Sequence, residues 1–123
     1  MRREALAVEI QPERDGAIVY KLRGSLDLET APSLRAALTQ AADEGKNDII
    51  VDLTQLEFLD STGLGALIGA HRRALEHGGR LRLIVAPGTI ERLLNITGLI
   101  DVFAAYGTVE SALHDQDRLI AAL

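Results

Sequence analysis

Cysteine is absent from this 123-residue chain. Its absence removes disulfides and thiolate metal ligands, and fits a reducing, cytoplasmic setting. Aromatic residues are scarce, at 3%, so the core must be assembled from Leu, Ile, Val and Ala. No apolar run approaches the roughly 20 residues that span a bilayer. The opening Met1-Arg2-Arg3-Glu4 leads into alternating polar residues instead of the apolar stretch of a signal peptide, so neither export nor direct membrane insertion is expected. Positive charge is also in deficit, with 13 Lys and Arg against 18 Asp and Glu and a net charge of −5. An acidic chain with no basic cluster lacks the electrostatic footprint of a nucleic-acid binder, and its acidity serves solubility. What is present is ordinary for a soluble globular protein: 47% hydrophobic and 25% charged residues, with a length that predicts one domain over residues 1–123.

The hydrophobic pattern switches between strand and helix periods. Leu6, Val8 and Ile10 alternate with polar or small neighbours, as do Ile18, Tyr20 and Leu22. Between them Gln11-Pro12-Glu13-Arg14-Asp15-Gly16 reads as a turn, so these strands are expected to form an antiparallel hairpin. A helix follows, with Thr30 as a candidate N-cap, Pro32 in its first turn, Leu34, Ala37, Leu38 and Ala41 on its apolar face, and Gly45 at its end. Asp48–Leu53 has the continuous apolar centre of a strand covered on both faces. A second helix starts near Ser61, with Leu64, Leu67, Ile68, His71 and Leu75 on one stripe and Gly78-Gly79 behind it. Arg80–Val85 reads as a strand. Thr89 is a candidate cap for a helix carrying Ile90, Leu93, Leu94 and Thr97, which stops at Gly98. Ile100–Phe103 reads as a short strand, and Thr108 as the cap of a last helix carrying Val109, Ala112, Leu113 and Ile120. The resulting order, ββαβαβαβα, predicts an α/β fold: one mixed sheet, its first strand antiparallel and its inner strands parallel, with helices packed mainly on one face.

Phe58-Leu59-Asp60-Ser61-Thr62-Gly63-Leu64-Gly65 concentrates polar groups between the central strand and the second helix. The plain reading is an N-cap, in which Asp60 or Ser61 accepts a hydrogen bond from a first-turn N–H. The functional reading adds that a hydroxyl at a helix start is open to a kinase, and that first-turn amides and the helix dipole would stabilise a phosphate there. Gly65 and Gly69 sit one turn apart in an otherwise strong helix, each at a cost of roughly 1 kcal/mol against Ala. With Thr62, Ala66, Ala70 and Arg73 they form a stripe of small residues. Either this stripe packs closely against a neighbouring helix of the same domain, or it offers a flat face to a partner.

Taken together, Gly24-Ser25-Leu26-Asp27, Thr30-Ala31, Val51-Asp52-Leu53 and Asp60-Ser61-Thr62-Gly63-Leu64-Gly65 resemble the STAS domain, and within it the stand-alone anti-sigma-factor antagonists. Gly78-Gly79-Arg80-Leu81, Leu93, Gly98-Leu99 and Phe103 extend the resemblance over nearly the whole chain. It implies that Ser61 is phosphorylated by an anti-sigma factor that is also a serine kinase. The unmodified protein would bind that kinase and free a sigma factor, and a serine phosphatase would restore the unmodified form. Asp27, Asp60 and Thr62 match residues flanking the site, with Thr62 the alternative phosphate acceptor. Asp27, Asp60, Ser61, Thr62, Gly63, Gly65, Gly69 and Arg73 are the expected partner-binding residues.

Enzymatic readings find less support. Leu59 stands where a nucleophile elbow needs its first glycine. His71 lies ten residues, roughly 15 Å of helix, beyond Ser61, too far to act as its base. The histidines, His71, His77 and His114, lack the spacing of a helical metal pair, and His71 on an apolar stripe reads as a packed or boundary residue. No Gly-x-x-x-x-Gly-Lys-Ser/Thr phosphate loop occurs. A phospho-accepting receiver domain, with Asp52 as acceptor, would need an acidic pair after the first strand and a lysine after the last; neither stands there. No cofactor and no catalysis are expected. A STAS accessory subunit of an ABC-type membrane transport system, acting by docking alone, is the alternative function.

Overall fold

A computed structural model of the chain describes residues 5–13 and 15–120. Met1–Glu4, and Arg14 of the predicted turn, lie outside the described residues. Strand β1 (Ala7–Pro12) pairs antiparallel with β2 (Ile18–Leu26), Ala7 opposite Arg23 and Pro12 opposite Ile18, so the expected hairpin forms. β3 (Asp48–Leu59), β4 (Arg80–Ile84) and β5 (Ala104–Tyr106) continue the sheet in parallel, in the spatial order 1-2-3-4-5. The mixed sheet expected from the element order is what forms.

The central strand is longer than its apolar centre suggested, 12 residues running on to Leu59 with no loop before the next helix. Its buried residues beyond Val51 are Leu53, Leu56 and Leu59, spaced by three, not two. The pairing with β2 explains this. Arg23 faces Gln55 and Ser25 faces Phe58, so the register slips twice and β3 carries an extra residue at each slip. Each β-bulge breaks the period-2 alternation that marks a strand in sequence.

Helices α1 (Ala31–Asp43), α2 (Ser61–Glu76), α3 (Thr89–Ile96) and α4 (Leu99–Val102) contribute to one core on the front of the sheet. Leu34 and Leu38 of α1, Ala66, Leu67, Ala70 and Ala74 of α2, and Leu94 of α3 pack there on Tyr20, Leu22, Val51, Leu81 and Leu83. The buried face of α2 is rotated from the predicted stripe: Leu67 is fully buried but Leu75 is 56% exposed. Thr89 is the first residue of α3, not its cap; Gly88 precedes it as the N-cap, without a side-chain capping bond. The expected strand at Ile100–Phe103 is instead the turn α4, opened by Gly98 at φ 74°, and the strand follows at β5. Ile100 and Phe103 are both buried at a helical spacing of three, which reads equally well as a short apolar strand run.

α5 (Val109–Leu113) lies on the opposite face, against Val19, Ile50, Ile84 and Tyr106. Thr108 caps it as expected, accepting from the Ser111 amide. Ile120 lies outside this helix and is 77% exposed; Asp115 and Asp117, at φ 51° and 57°, turn the chain away first. The back face also holds Arg82, 1% exposed, which donates to the Ala112 carbonyl and, at 2.6 Å, to Asp48. Arg80 grips Asp115 with both Nη atoms at 2.9 and 3.2 Å, and the Tyr106 hydroxyl donates to the same carboxylate at 2.9 Å. The Arg80 fork, and then Tyr106, hold the Asp115 carboxyl below its ordinary range. Among the described residues no helix is long and apolar enough to cross a membrane.

Candidate functional site

Parallel strands end at one edge of a sheet, and there Leu26 of β2 lies opposite Leu59 of β3. Both chains turn into helices from that edge. The β2–α1 connection covers residues 27–30, and the β3–α2 connection is Asp60 alone. The fold thus brings Asp27, Asp60, Ser61 and Thr62 together from two separate parts of the sequence.

Asp60 is the N-cap of α2, with extended backbone at φ −105° and ψ −177°. Its Oδ1 accepts from the Gly63 amide at 2.9 Å, the bond an N-cap carboxylate makes to satisfy a first-turn N–H. Its own amide donates to the Leu26 carbonyl at 3.3 Å. Its second oxygen, Oδ2, accepts from the Leu28 amide at 3.2 Å, across 32 residues of sequence. One carboxylate therefore caps α2 and ties it to the loop that leads into α1.

With Asp60 as the cap, Ser61 is left as the first helical residue. It is exposed, and among the described residues its hydroxyl has no hydrogen-bond partner. Thr62 is half-buried. Gly63 is buried: a Cβ there would lie 2.5 Å from the Leu26 carbonyl oxygen and 2.8 Å from Leu59 Cδ1. Gly63, expected among the partner-binding residues, thus sits at the joint between α2 and the sheet. Arg73 is not brought to the site either, standing roughly 18 Å along the helix from Ser61 by the rise per residue.

Asp27 acts within its own loop. Its Oδ1 accepts from the Glu29 amide at 3.0 Å and the Thr30 amide at 3.1 Å. The Thr30 hydroxyl accepts from the Asp27 amide at 2.9 Å and donates to the Ser25 carbonyl at 2.8 Å. Leu28, between the two aspartate-held points, is 70% exposed. Sequence reasoning missed it; the only local signal was an apolar residue flanked by Asp27 and Glu29.

The small-residue stripe of α2 divides. Ala66 and Ala70 are buried, whereas a Cβ on Gly65 or Gly69 would meet nothing within 4 Å among the described residues. Close packing inside the domain does not account for those two glycines. His71 is the packed histidine expected: its ring meets Phe103 edge-on at 5.4 Å, and burial lowers its pKa.

Comparison with known proteins gives this arrangement a context. The STAS domain profile matches residues 10–112. The anti-sigma F factor antagonist of Paenibacillus polymyxa is 28% identical over 109 residues, 88% of this chain and 92% of that protein. The crystal structure of an anti-sigma factor antagonist from Mycobacterium paratuberculosis superposes with a TM-score of 0.80 at 26% identity, covering 90% of this chain and 93% of the other. The Bacillus cell fate determinant SpoIIAA in its phosphorylated form superposes with a TM-score of 0.70 at 26% identity, over 89% of this chain and 98% of its own. The unphosphorylated form of SpoIIAA, described as an anti-sigma factor antagonist, also reaches 0.70, at 25% identity over 89% and 96%.

Proposed function

The chain belongs to the STAS domain family, and on that premise we propose that it is an anti-sigma-factor antagonist switched by phosphorylation of Ser61. Unmodified, it binds a cytoplasmic anti-sigma factor that is also a serine kinase, so that a sigma factor is released. Phosphorylation of Ser61 ends the binding, and a serine phosphatase restores it. The protein acts by docking, not by catalysis. The observation that carries this reading is the division of labour at the start of α2: Asp60 makes the capping bond, so the exposed Ser61 hydroxyl has no part in the fold. The same observation favours Ser61 over the half-buried Thr62. The relatives' names support the antagonist role over a transport-system subunit, and the two forms of SpoIIAA support a phosphate switch.

A phosphate on Ser61 adds about 1.5 to 2 negative charges at the N-terminus of α2. First-turn amides and the helix dipole offset that charge locally, while the Asp60 carboxylate opposes it. The fold survives and the docking face changes its charge and shape. Asp27, Gly65 and Gly69 belong to that face, the glycines because their open surface lets a partner approach the helix backbone closely. Calorimetric titration of a purified anti-sigma factor with unmodified, Ser61→Ala and phosphorylated protein tests the switch. Unmodified and Ser61→Ala protein should bind alike, and the phosphorylated form at least tenfold more weakly, a penalty of about 1.4 kcal/mol. Equal affinity for all three overturns the proposal; phosphate found by mass spectrometry on Thr62 moves the site by one residue.

A further inference from the structure

Among the described residues Leu28 has no partner in either core cluster, yet the loop that carries it is heavily constrained. Asp27 holds the amides of Glu29 and Thr30, Thr30 ties the loop back to Ser25, and Asp60 Oδ2 takes the amide of Leu28 itself. A single exposed leucine is ordinary on a protein surface. Leu28 is 70% exposed on a backbone fixed from the start of a second helix, through the residue preceding Ser61, so its side chain is held out in a set position before any partner arrives. We infer that Leu28 is the apolar anchor of the docking face and that Asp60 is a positioning residue that presents it. The inference rests on the proposed antagonist function, and its occupant is that anti-sigma factor, which must offer an apolar pocket beside the groups that receive Ser61. Continuity carries the assignment: one carboxylate touches both the helix turn that begins with Ser61 and the Leu28 backbone. A preset loop loses little conformational freedom on docking, which favours affinity without further contacts.

The substitution Asp60→Asn isolates the positioning role. Asparagine keeps an oxygen for the Gly63 amide and remains a good cap, but puts an NH2 where Leu28 needs an acceptor. In the free protein the Leu28 amide resonance should shift on this substitution while the core resonances stay in place. Against the purified anti-sigma factor, Leu28→Ala should bind about tenfold more weakly, Leu28→Met within about twofold of the original, and Asp60→Asn several-fold more weakly. The double variant should be no worse than about twofold beyond Leu28→Ala, because both changes remove one contact. Fully additive losses would show that Asp60 contributes only its charge, and would overturn the positioning role. If unmodified protein binds, phosphorylated protein does not, and Leu28→Ala binds like the original, the anchor falls while the switch stands. If unmodified protein does not bind at all, both fall together.

Discussion

α1 and α2 begin side by side at one edge of the sheet, each with a hydroxyl residue at its start, and the two hydroxyls have opposite fates. At α1 the Thr30 hydroxyl is consumed: it accepts from Asp27, donates to Ser25 and makes no capping bond to its own helix. At α2 a carboxylate does the capping and the Ser61 hydroxyl is left over. A free hydroxyl at a helix start is therefore no automatic consequence of this fold. Modification at Thr30 would break the loop, whereas among the described residues the Ser61 hydroxyl makes no hydrogen bond for a modification to break. The contrast separates a structural helix start from one available for regulation.

Substitutions at each start can break or sharpen the contrast, and urea unfolding reads all of them. Gly63→Ala should be the most damaging, because its Cβ would strike a backbone oxygen at 2.5 Å, which cannot swing aside. A loss at or beyond the ~3 kcal/mol upper end of overpacking costs is expected. A loss under about 1 kcal/mol would mean that α2 is not seated as described. Next comes Thr30→Val, which keeps the shape and removes the part-buried hydrogen bonds of the hydroxyl to Asp27 and Ser25; about 1–3 kcal/mol should be lost. Asp60→Ala should follow at about 0.5–2 kcal/mol, the usual range for a missing N-cap.

Smaller effects probe the exposed side of α2. Gly65→Ala has open space for its methyl group and should stabilise the protein by about 0.5–1 kcal/mol. If it also weakens binding to the anti-sigma factor, the glycine serves the partner at the expense of the fold; stabilisation with unchanged binding removes Gly65 from the docking face. Ser61→Ala should change stability by no more than about 0.5 kcal/mol. A loss as large as that of Thr30→Val would show that the Ser61 hydroxyl is structural after all and erase the distinction between the two starts.

Much of this was legible in the amino-acid order. The hairpin, the ββα beginning, the helix ends at Gly45 and Gly78, the Thr108 cap and the helix start at Ser61 all follow from hydrophobic period and terminal residues, which act within a turn or two of chain. The likeness to the STAS domain was carried by the same local blocks. Misreadings arose where local pattern was ambiguous or absent. Two bulges hid the second half of β3, and an apolar pair spaced by three disguised the turn α4 as a strand. Other features had no local signal, because each joins residues more than 30 positions apart. The Asp60–Leu28 bond spans 32 residues and the Arg82–Asp48 pair spans 34. The sequence by itself determined the order of elements and the chemistry available at the start of α2. Which oxygen caps the helix, which glycine must stay bare against Leu26, and which leucine is held out beside Ser61 were decided only when two strand ends came to lie next to each other, since hydrogen bonds and steric contacts act over a few ångströms of space and not along the chain.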